Sequence, residues 1–531
     1  MPTIELIVAL VLAAATLAGL ARLVNLHYAI LLVLGGLVLG FVPGVKAPAI
    51  RPDIILFVFL PPLIYAAAYR SSTRDLRANA GPVARLAIGL VLFTMGAVAV
   101  VAHAVAPIGW GPAVVLGAIL GPTDPVAATA LLRRVGAPDR IATILEGESL
   151  VNDGTGLTVY KLAVAAVVSG AFSIASGFVG LLVALCGIGI GLLAGVVSAE
   201  VRRRIDEPPI EVSISLLTAY LAYIPADRIG SSGILAAVAA GLYTGRRSAT
   251  ILTAQSRLQM LAFWNVMTFL LESVLFLLVG LQLRTIVDGL HGGIIVPLLE
   301  SAAVVLTVIV ARLGWMFVVP VVLRLIRVNV RRPAASRRRP EHADARSGEL
   351  LVLGWSGMRG AVSLAAALAI PLTADGHPFP GRDVIIFITY MTIVGTLVIG
   401  GLTLPILVSA LGVAEGEELA RAEAKARMQL AYAALQRIDE AAERGELPDA
   451  ALDQLRSVYE SRLHRLAPRV DGAREIGGES EVAWQVRELQ RELVSTERAR
   501  LREIRREGQI TLHAARRIQR DLDLEESRIA A

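Results

Sequence analysis

The segment GPTDPVAATALLRRVGAPDRIATILEGESLVNDGTGLTVY, residues 121–160, decides how the rest of the chain is read. It sets carboxylates, an amide and hydroxyls inside two stretches that are otherwise apolar enough to span a bilayer. Asp124 stands between two prolines in Pro122-Thr123-Asp124-Pro125, and Glu148, Ser149, Asn152 and Asp153 follow on the next helix. An ionisable side chain within a spanning segment costs about 2.5–3.5 kcal/mol on insertion scales, so its default reading is a functional one. Two such segments side by side point to a site for a small cation.

The composition around this segment agrees with a membrane setting. Of 531 residues, 55% are hydrophobic and 18% charged, with a mean hydropathy of +0.64, values of a polytopic membrane protein rather than a soluble one. The N-terminal run MPTIELIVALVLAAATLAGLARLV has no basic residue ahead of its apolar core and no small-residue cleavage site, and is read as a retained span rather than a signal peptide. The single cysteine, Cys186, excludes an intramolecular disulfide and a cysteine metal cluster. It lies in an apolar run and is expected to be buried. The net charge of +6 does not imply a nucleic-acid partner, because the arginines cluster in short loops between apolar runs, as membrane topology demands.

Apolar runs bounded by charge, Gly or Pro predict thirteen spans. Their cores are 4–21, 28–43, 53–69, 84–107, 111–133, 140–168, 172–199, 210–225, 231–245, 258–283, 292–323, 349–371 and 383–412, with the second, eighth and ninth short. Alternate connections then carry about 22 basic residues, among them Arg74, Arg133, Arg203 and Arg246, against about five opposite, namely Lys46, Arg51, Arg228, Arg284 and Arg382. The positive-inside rule makes the rich side cytoplasmic, with the N-terminus outside and the C-terminal tail inside.

From about residue 415 the composition turns to Ala, Leu, Glu and Arg at helical spacing. The expectation is a transmembrane domain over 1–413 and a cytoplasmic helical tail over 414–531, broken near Gly472 and Gly477–Gly478. The tail reads as a solvated hairpin or dimerisation arm, or as a regulatory module, and contains no nucleotide or calcium motif. The stretch 328–348 reads as a solvated linker.

Depth brings the polar groups together. Asp124 lies thirteen residues into the fifth span from Gly111, and Asp153 thirteen residues into the sixth from Arg140. At about 1.5 Å per residue, both reach roughly 20 Å, the middle of the membrane, from opposite faces. Ser149 and Asp153 are four residues apart, as are Glu148 and Asn152, which makes a polar stripe. Pro122 and Pro125 remove amide donors and free carbonyls near Ala118 and Gly121. Such irregular backbone is tolerated at this depth only where protein or a water-filled cavity lines it. The twelfth span, LVLGWSGMRGAVSLAAALAIP, is interrupted by Gly354, Gly357 and Gly360, with Arg359 among them and Glu148 its candidate partner. Interrupted fifth and twelfth spans, seven apart in thirteen, fit inverted repeats whose two discontinuous helices cross at a binding site.

For each group there is also a plain structural role. Asp124 can cap the second half-helix, Thr123 can satisfy local backbone, and Asn152 can serve as interhelical glue. Glu148–Arg359 reads as architectural. Glu272 is buried in FLLESVLFLLVGLQL as a second-tier residue, with Arg312 its candidate partner, and Lys161 is placed to snorkel outward. The histidines lack metal-ligand spacing; His27, His291 and His377 fall near interfaces.

At these residues the chain resembles the bacterial sodium/proton exchangers of the monovalent cation–proton antiporter family. The matches are GPTDPVAATALL (121–132), LEGESLVNDGTG (145–156), LESVLFLLVGLQL (271–283) and WSGMRGAVSLAAAL (355–368). The resemblance implies a thirteen-span fold with a dimerisation domain and a mobile core domain, working as a homodimer in the bacterial inner membrane. It carries cation binding onto Asp153 and Asn152, with Asp124, Thr123 and Ser149 nearby and Na+ held at Asp153 and Asp124. It makes Glu148 and Arg359 the core ion pair. The Asn-Asp pairing resembles the electroneutral branch that exchanges one Na+ for one H+.

The expected function is therefore Na+/H+ antiport by competition of the two ions for Asp153, with no cofactor. Exchange of K+, or of Li+, is the alternative within the family. A cation channel and a membrane-anchored signalling protein acting through its tail are alternatives of other classes. No nucleophile–base set, phosphate loop or metal cluster points to an enzyme.

Overall fold

In hydrocarbon every backbone polar group must be satisfied within its own segment, so apolar runs of spanning length fold as helices. The computed structural model describes residues 3–23, 27–42, 55–170, 174–289, 293–328, 347–374, 376–413, 416–470, 481–507, 518–519 and 522–526. Among these, a helical segment stands at each of the thirteen expected positions. In order they are Thr3–Leu23, Tyr28–Phe41, Leu60–Arg70, Val91–Val105, Trp110–Leu120 with Val126–Val135, Asp139–Ser169, Ile174–Arg202, Pro208–Arg228, Gly233–Ile251, Ala254–Leu281, Ile295–Val328, Ser347–Trp355 with Ala361–Leu368, and Arg382–Leu411. Among the described residues, six helices are long and apolar enough to cross a membrane on those grounds alone. The fifth and twelfth are the broken ones.

The eighth and ninth helices are 21 and 19 residues long, longer than their apolar cores. Arginines at their ends keep helical backbone while their heads stay in the polar layer, which hydropathy does not register. A two-stranded antiparallel hairpin, Thr373–Ala374 with His377–Pro378, links the twelfth and thirteenth spans. The side chain of His27 caps the second span by accepting the Ala29 amide at 3.3 Å. Burial and the charge of Arg134 hold that imidazole down to about 4, in the neutral form that such a cap requires. Residues 329–346 of the expected linker, His291, and the expected tail breaks at Gly472 and Gly477–Gly478 lie outside the described residues.

Lipid offers no hydrophobic drive between helices, so contact depends on close backbone approach at small residues. A Cβ on Gly191 of the seventh span would overlap the Ala236 backbone of the ninth, one on Gly245 of the ninth the Tyr69 carbonyl, and one on Gly280 of the tenth the Val33 carbonyl of the second. One core runs through the first, second, fourth to sixth and tenth to thirteenth spans, with Leu116, Leu132, Ile144, Phe276 and Phe387 inside it. Another joins Tyr65, Ala219, Ala236 and Trp264 of the third, eighth, ninth and tenth. Outward faces remain apolar, as at Leu193 and Leu306, where lipid is the solvent. Cys186 belongs to such a face. It is exposed rather than buried, because in a bilayer an apolar run does not imply an interior position.

The chain divides into two compact units, Met1–Glu415 and Gly416–Ala531. In the second, helices Gly416–Glu443 and Asp449–Val470 form a hairpin closed by Ile438, Ala441 and Leu452. A third helix, Glu481–Arg506, buries Val494 and Leu501 against Leu522.

Candidate functional site

Pro122 and Pro125 cannot donate an amide hydrogen, so the fifth span stops at Leu120 and resumes at Val126. Two of the terminal carbonyls this leaves, those of Ile119 and Leu120, are taken by the twelfth span. Ser363 Oγ donates to Ile119 at 2.9 Å and Arg359 Nε to Leu120 at 3.1 Å. In return the Asp124 amide donates to the Met358 carbonyl at 2.9 Å. The two broken helices thus interlock at their breaks.

Asp124 takes the capping role that its place before the second half-helix allows. Its Oδ1 accepts the Val126 amide at 2.9 Å, capping the second half-helix, while the residue also lines a cavity. A Cβ on Gly360 would overlap the Asp124 carboxylate, so the approach of the twelfth span to Asp124 requires glycine there. Gly156 has the same relation to the Pro122 ring, which lets the sixth span lie against the break.

The sixth span runs unbroken for 31 residues and sorts its polar stripe onto two faces. Glu148 and Asn152 are buried in protein, at 1% and 0% exposure. Asn152 Nδ2 donates to the carbonyl and the hydroxyl of Thr123 at 3.1 and 3.0 Å, and the Thr123 hydroxyl donates to Glu148 Oε1 at 2.8 Å. Asn152 is therefore the interhelical tie, although its Oδ1 has no partner among the described residues. Ser149 and Asp153 face the other way, into the cavity.

The expected Glu148–Arg359 pair does not form. Glu148 is held by Arg312 of the eleventh span, at 2.5 and 2.8 Å through both guanidinium nitrogens. Arg312 Nε donates to the Leu353 carbonyl at 3.2 Å. The planar fork of arginine suits this two-point grip on a carboxylate. Arg359 spends its donors on backbone instead, at Leu120 and, at 2.7 Å, Gly357. Glu272 is likewise not paired with Arg312; it accepts the Tyr28 hydroxyl at 2.8 Å. Lys161 does point outward, to Asp227 at 2.8 Å.

The cavity has a volume of about 750 Å³ and is lined by Thr123, Asp124, Ser149, Asp153 and Glu272, as well as by Arg133, Arg246 and Arg257. It runs from the break of the fifth span to Arg70, Arg133, Arg246 and Arg257 of the arginine-rich loops. Asp153 has no hydrogen bond or ion pair among the described residues, whereas Glu148, Asp124 and Glu272 are each engaged. The lining offers carboxylate and hydroxyl oxygens, hard ligands suited to a small cation. No group of three or more His, Cys, Asp or Glu placed to hold a resident metal occurs among the described residues, and a sodium ion here would be cargo. Sequence reasoning missed the grip of Arg312 on Glu148, the contact of Tyr28 with Glu272 and the service of Ser363 to the broken fifth span. The glycines of WSGMRG were the visible sign that something approaches closely.

The comparisons bear on the whole transmembrane unit. Residues 8–410 match the family model described as sodium/hydrogen exchanger, transmembrane. An uncharacterised Na+/H+ exchanger of Mycobacterium tuberculosis is 35% identical over 508 residues, covering 94% of this chain and 91% of that protein. A sodium, potassium, lithium and rubidium/H+ antiporter of Bacillus pumilus is 32% identical over 390 residues, covering 70% of this chain and 56% of that one. The fold is similar to the sodium proton antiporter MjNhaP1 of Methanocaldococcus jannaschii, with a TM-score of 0.60 at 20% identity over 78% of this chain and 99% of that one. A matched family model over three quarters of the length, joined to a relative of this identity over nine-tenths of both chains, places the chain in the sodium/hydrogen exchanger family of multi-pass membrane transporters.

Proposed function

We propose that Asp153 is the one seat for which a sodium ion and a proton compete, and that the chain exchanges them one for one across a bacterial inner membrane. The observation that carries this is an unpartnered carboxylate in a cavity that extends to the arginines of the arginine-rich loops. A buried carboxylate with no partner is costly, and either ion relieves that cost. Ser149, Thr123 and Asp124 supply oxygens around it. Asn152 and the Glu148–Arg312 pair hold the wall in place. Because the partners of Glu148 and Asp124 are fixed, only Asp153 changes its load, and equal charges cross in each direction.

In this reading the arginine-rich face is cytoplasmic, the working unit is a homodimer, and the 414–531 tail regulates exchange or supports dimerisation. Among the described residues, the cavity lining includes none from the arginine-poor loops, which favours alternating access over a channel. The Bacillus relative's name makes K+ and Li+ the ions to compare with Na+.

In proteoliposomes, adding Na+ should collapse an imposed pH gradient at a rate insensitive to membrane voltage, with K+ and Li+ ranking selectivity. Asp153→Asn should reduce that flux to the level of empty liposomes while leaving the folded yield intact. Full sodium-driven proton flux in the variant would remove Asp153 from the mechanism, and a voltage-dependent rate would remove the one-for-one count.

A further inference from the structure

A second cavity, of about 570 Å³, lies on the arginine-poor face between the ends of the fourth, eleventh and thirteenth spans. Pro107, Pro297, Glu300, Phe379, Arg382 and Asp383 are among its lining residues. Glu300 sits five residues beyond Ile295, about 8 Å along the eleventh span. It is 5% exposed, and its Oε2 has no hydrogen-bond partner among the described residues. An ionisable group so placed is a functional candidate by default, and Asp153 chemistry makes no use of it.

The surrounding charges indicate what it would hold. Arg382 is already committed. Its Nε and Nη2 donate to the carbonyls of Ile370 and Leu368 at 3.1 and 3.0 Å, closing the end of the twelfth span. No ion pair joins Arg382 to Glu300 among the described residues. Asp383, exposed in the first turn of the thirteenth span, adds a second carboxylate to the lining. Two negative charges against one positive leave the cavity favourable to a cation. An anion would meet both carboxylates, and a neutral solute would leave Glu300 uncompensated.

We propose that Glu300 is a receiving ligand for a small monovalent cation, sodium, at the arginine-poor face, distinct from the seat at Asp153. Asp383 draws the ion toward the cavity, and the Glu300 carboxylate replaces part of its hydration shell. The proposal rests on the antiport reading for the identity of its cargo, so one of its tests reads binding without transport.

Right-side-out and everted vesicles present sodium to the two faces separately. Glu300→Gln should raise the KM for Na+ at the arginine-poor face roughly fivefold, with KM at the opposite face unmoved and Glu300→Asp restoring most of the difference. An equal change at both faces, or none at either, overturns the proposal. In detergent, sodium chloride should raise the Tm of the Asp153→Asn protein relative to choline chloride, and adding Glu300→Gln should remove that rise. This second outcome stands even if Asp153 proves not to be the exchange seat. A sodium-insensitive Tm in Asp153→Asn overturns the Glu300 site alone.

Discussion

At the scale of single residues, the closeness of Gly360 to Asp124 is the contact most exposed to test. A methyl group there overlaps the carboxylate, and Asp124 can yield only by giving up its hold on the Val126 amide or its place in the cavity wall. Misplacing a reacting group by about 1 Å can cost two orders of magnitude in rate. Gly360→Ala is accordingly expected to slow sodium-driven proton flux roughly ten- to a hundredfold. Its Tm should fall by only a few degrees, since the rest of the interlocked break survives. A variant with normal flux would show that Asp124 has freedom to move that this packing denies it. The position was marked in the sequence as a glycine beside Arg359, but which atom fills the space a Cβ would take depends on a chain segment more than 230 residues away, and no local pattern encodes it.

At the scale of elements, the Glu148–Arg312 pair ties the sixth span to the eleventh in a setting where both side chains are 1% exposed. Removing one member of a buried pair strands the other charge, at a cost of about 3–5 kcal/mol, whereas replacing both by apolar groups is often close to neutral. Arg312→Met alone should therefore destabilise the protein by about that amount. The Glu148→Leu, Arg312→Met double variant should recover most of the loss, measured by thermal unfolding in detergent. A double variant as unstable as the single one would mean that the Leu353 and Thr123 hydrogen bonds carry the contact. Hydropathy located both spans and picked out both side chains as candidates for pairing. It could not say which arginine meets Glu148, because Arg312 and Arg359 lie at comparable depth, and the choice is made by broken-helix carbonyls that claim Arg359 first.

At the scale of the whole molecule, two compact units share one chain, and the ion-handling residues named above all lie in the first. Truncation after residue 415 should leave the sodium-dependent collapse of a pH gradient within about twofold of the full-length rate, if the tail is accessory in the sense of a covalently joined but separately folded unit. Loss of exchange in a truncated protein that is still inserted and stable would make the tail part of the transport machinery. The transmembrane unit is legible to a different degree from its site. Thirteen helices, their breaks and their order follow from run length, prolines and glycines. The direction in which the cavity opens does not.

What the sequence determined by itself is the set of spans and the two interruptions, because hydrocarbon imposes its rules locally: enough apolar length and every backbone group satisfied. What only the tertiary structure decided is which partner each buried charge finds, that Cys186 faces outward, and that Glu300 looks into a cavity of its own. Those outcomes depend on which helix faces approach one another. In a bilayer the approach is set by small residues and backbone fit between segments far apart in the chain, and no window along the sequence contains both sides of that contact.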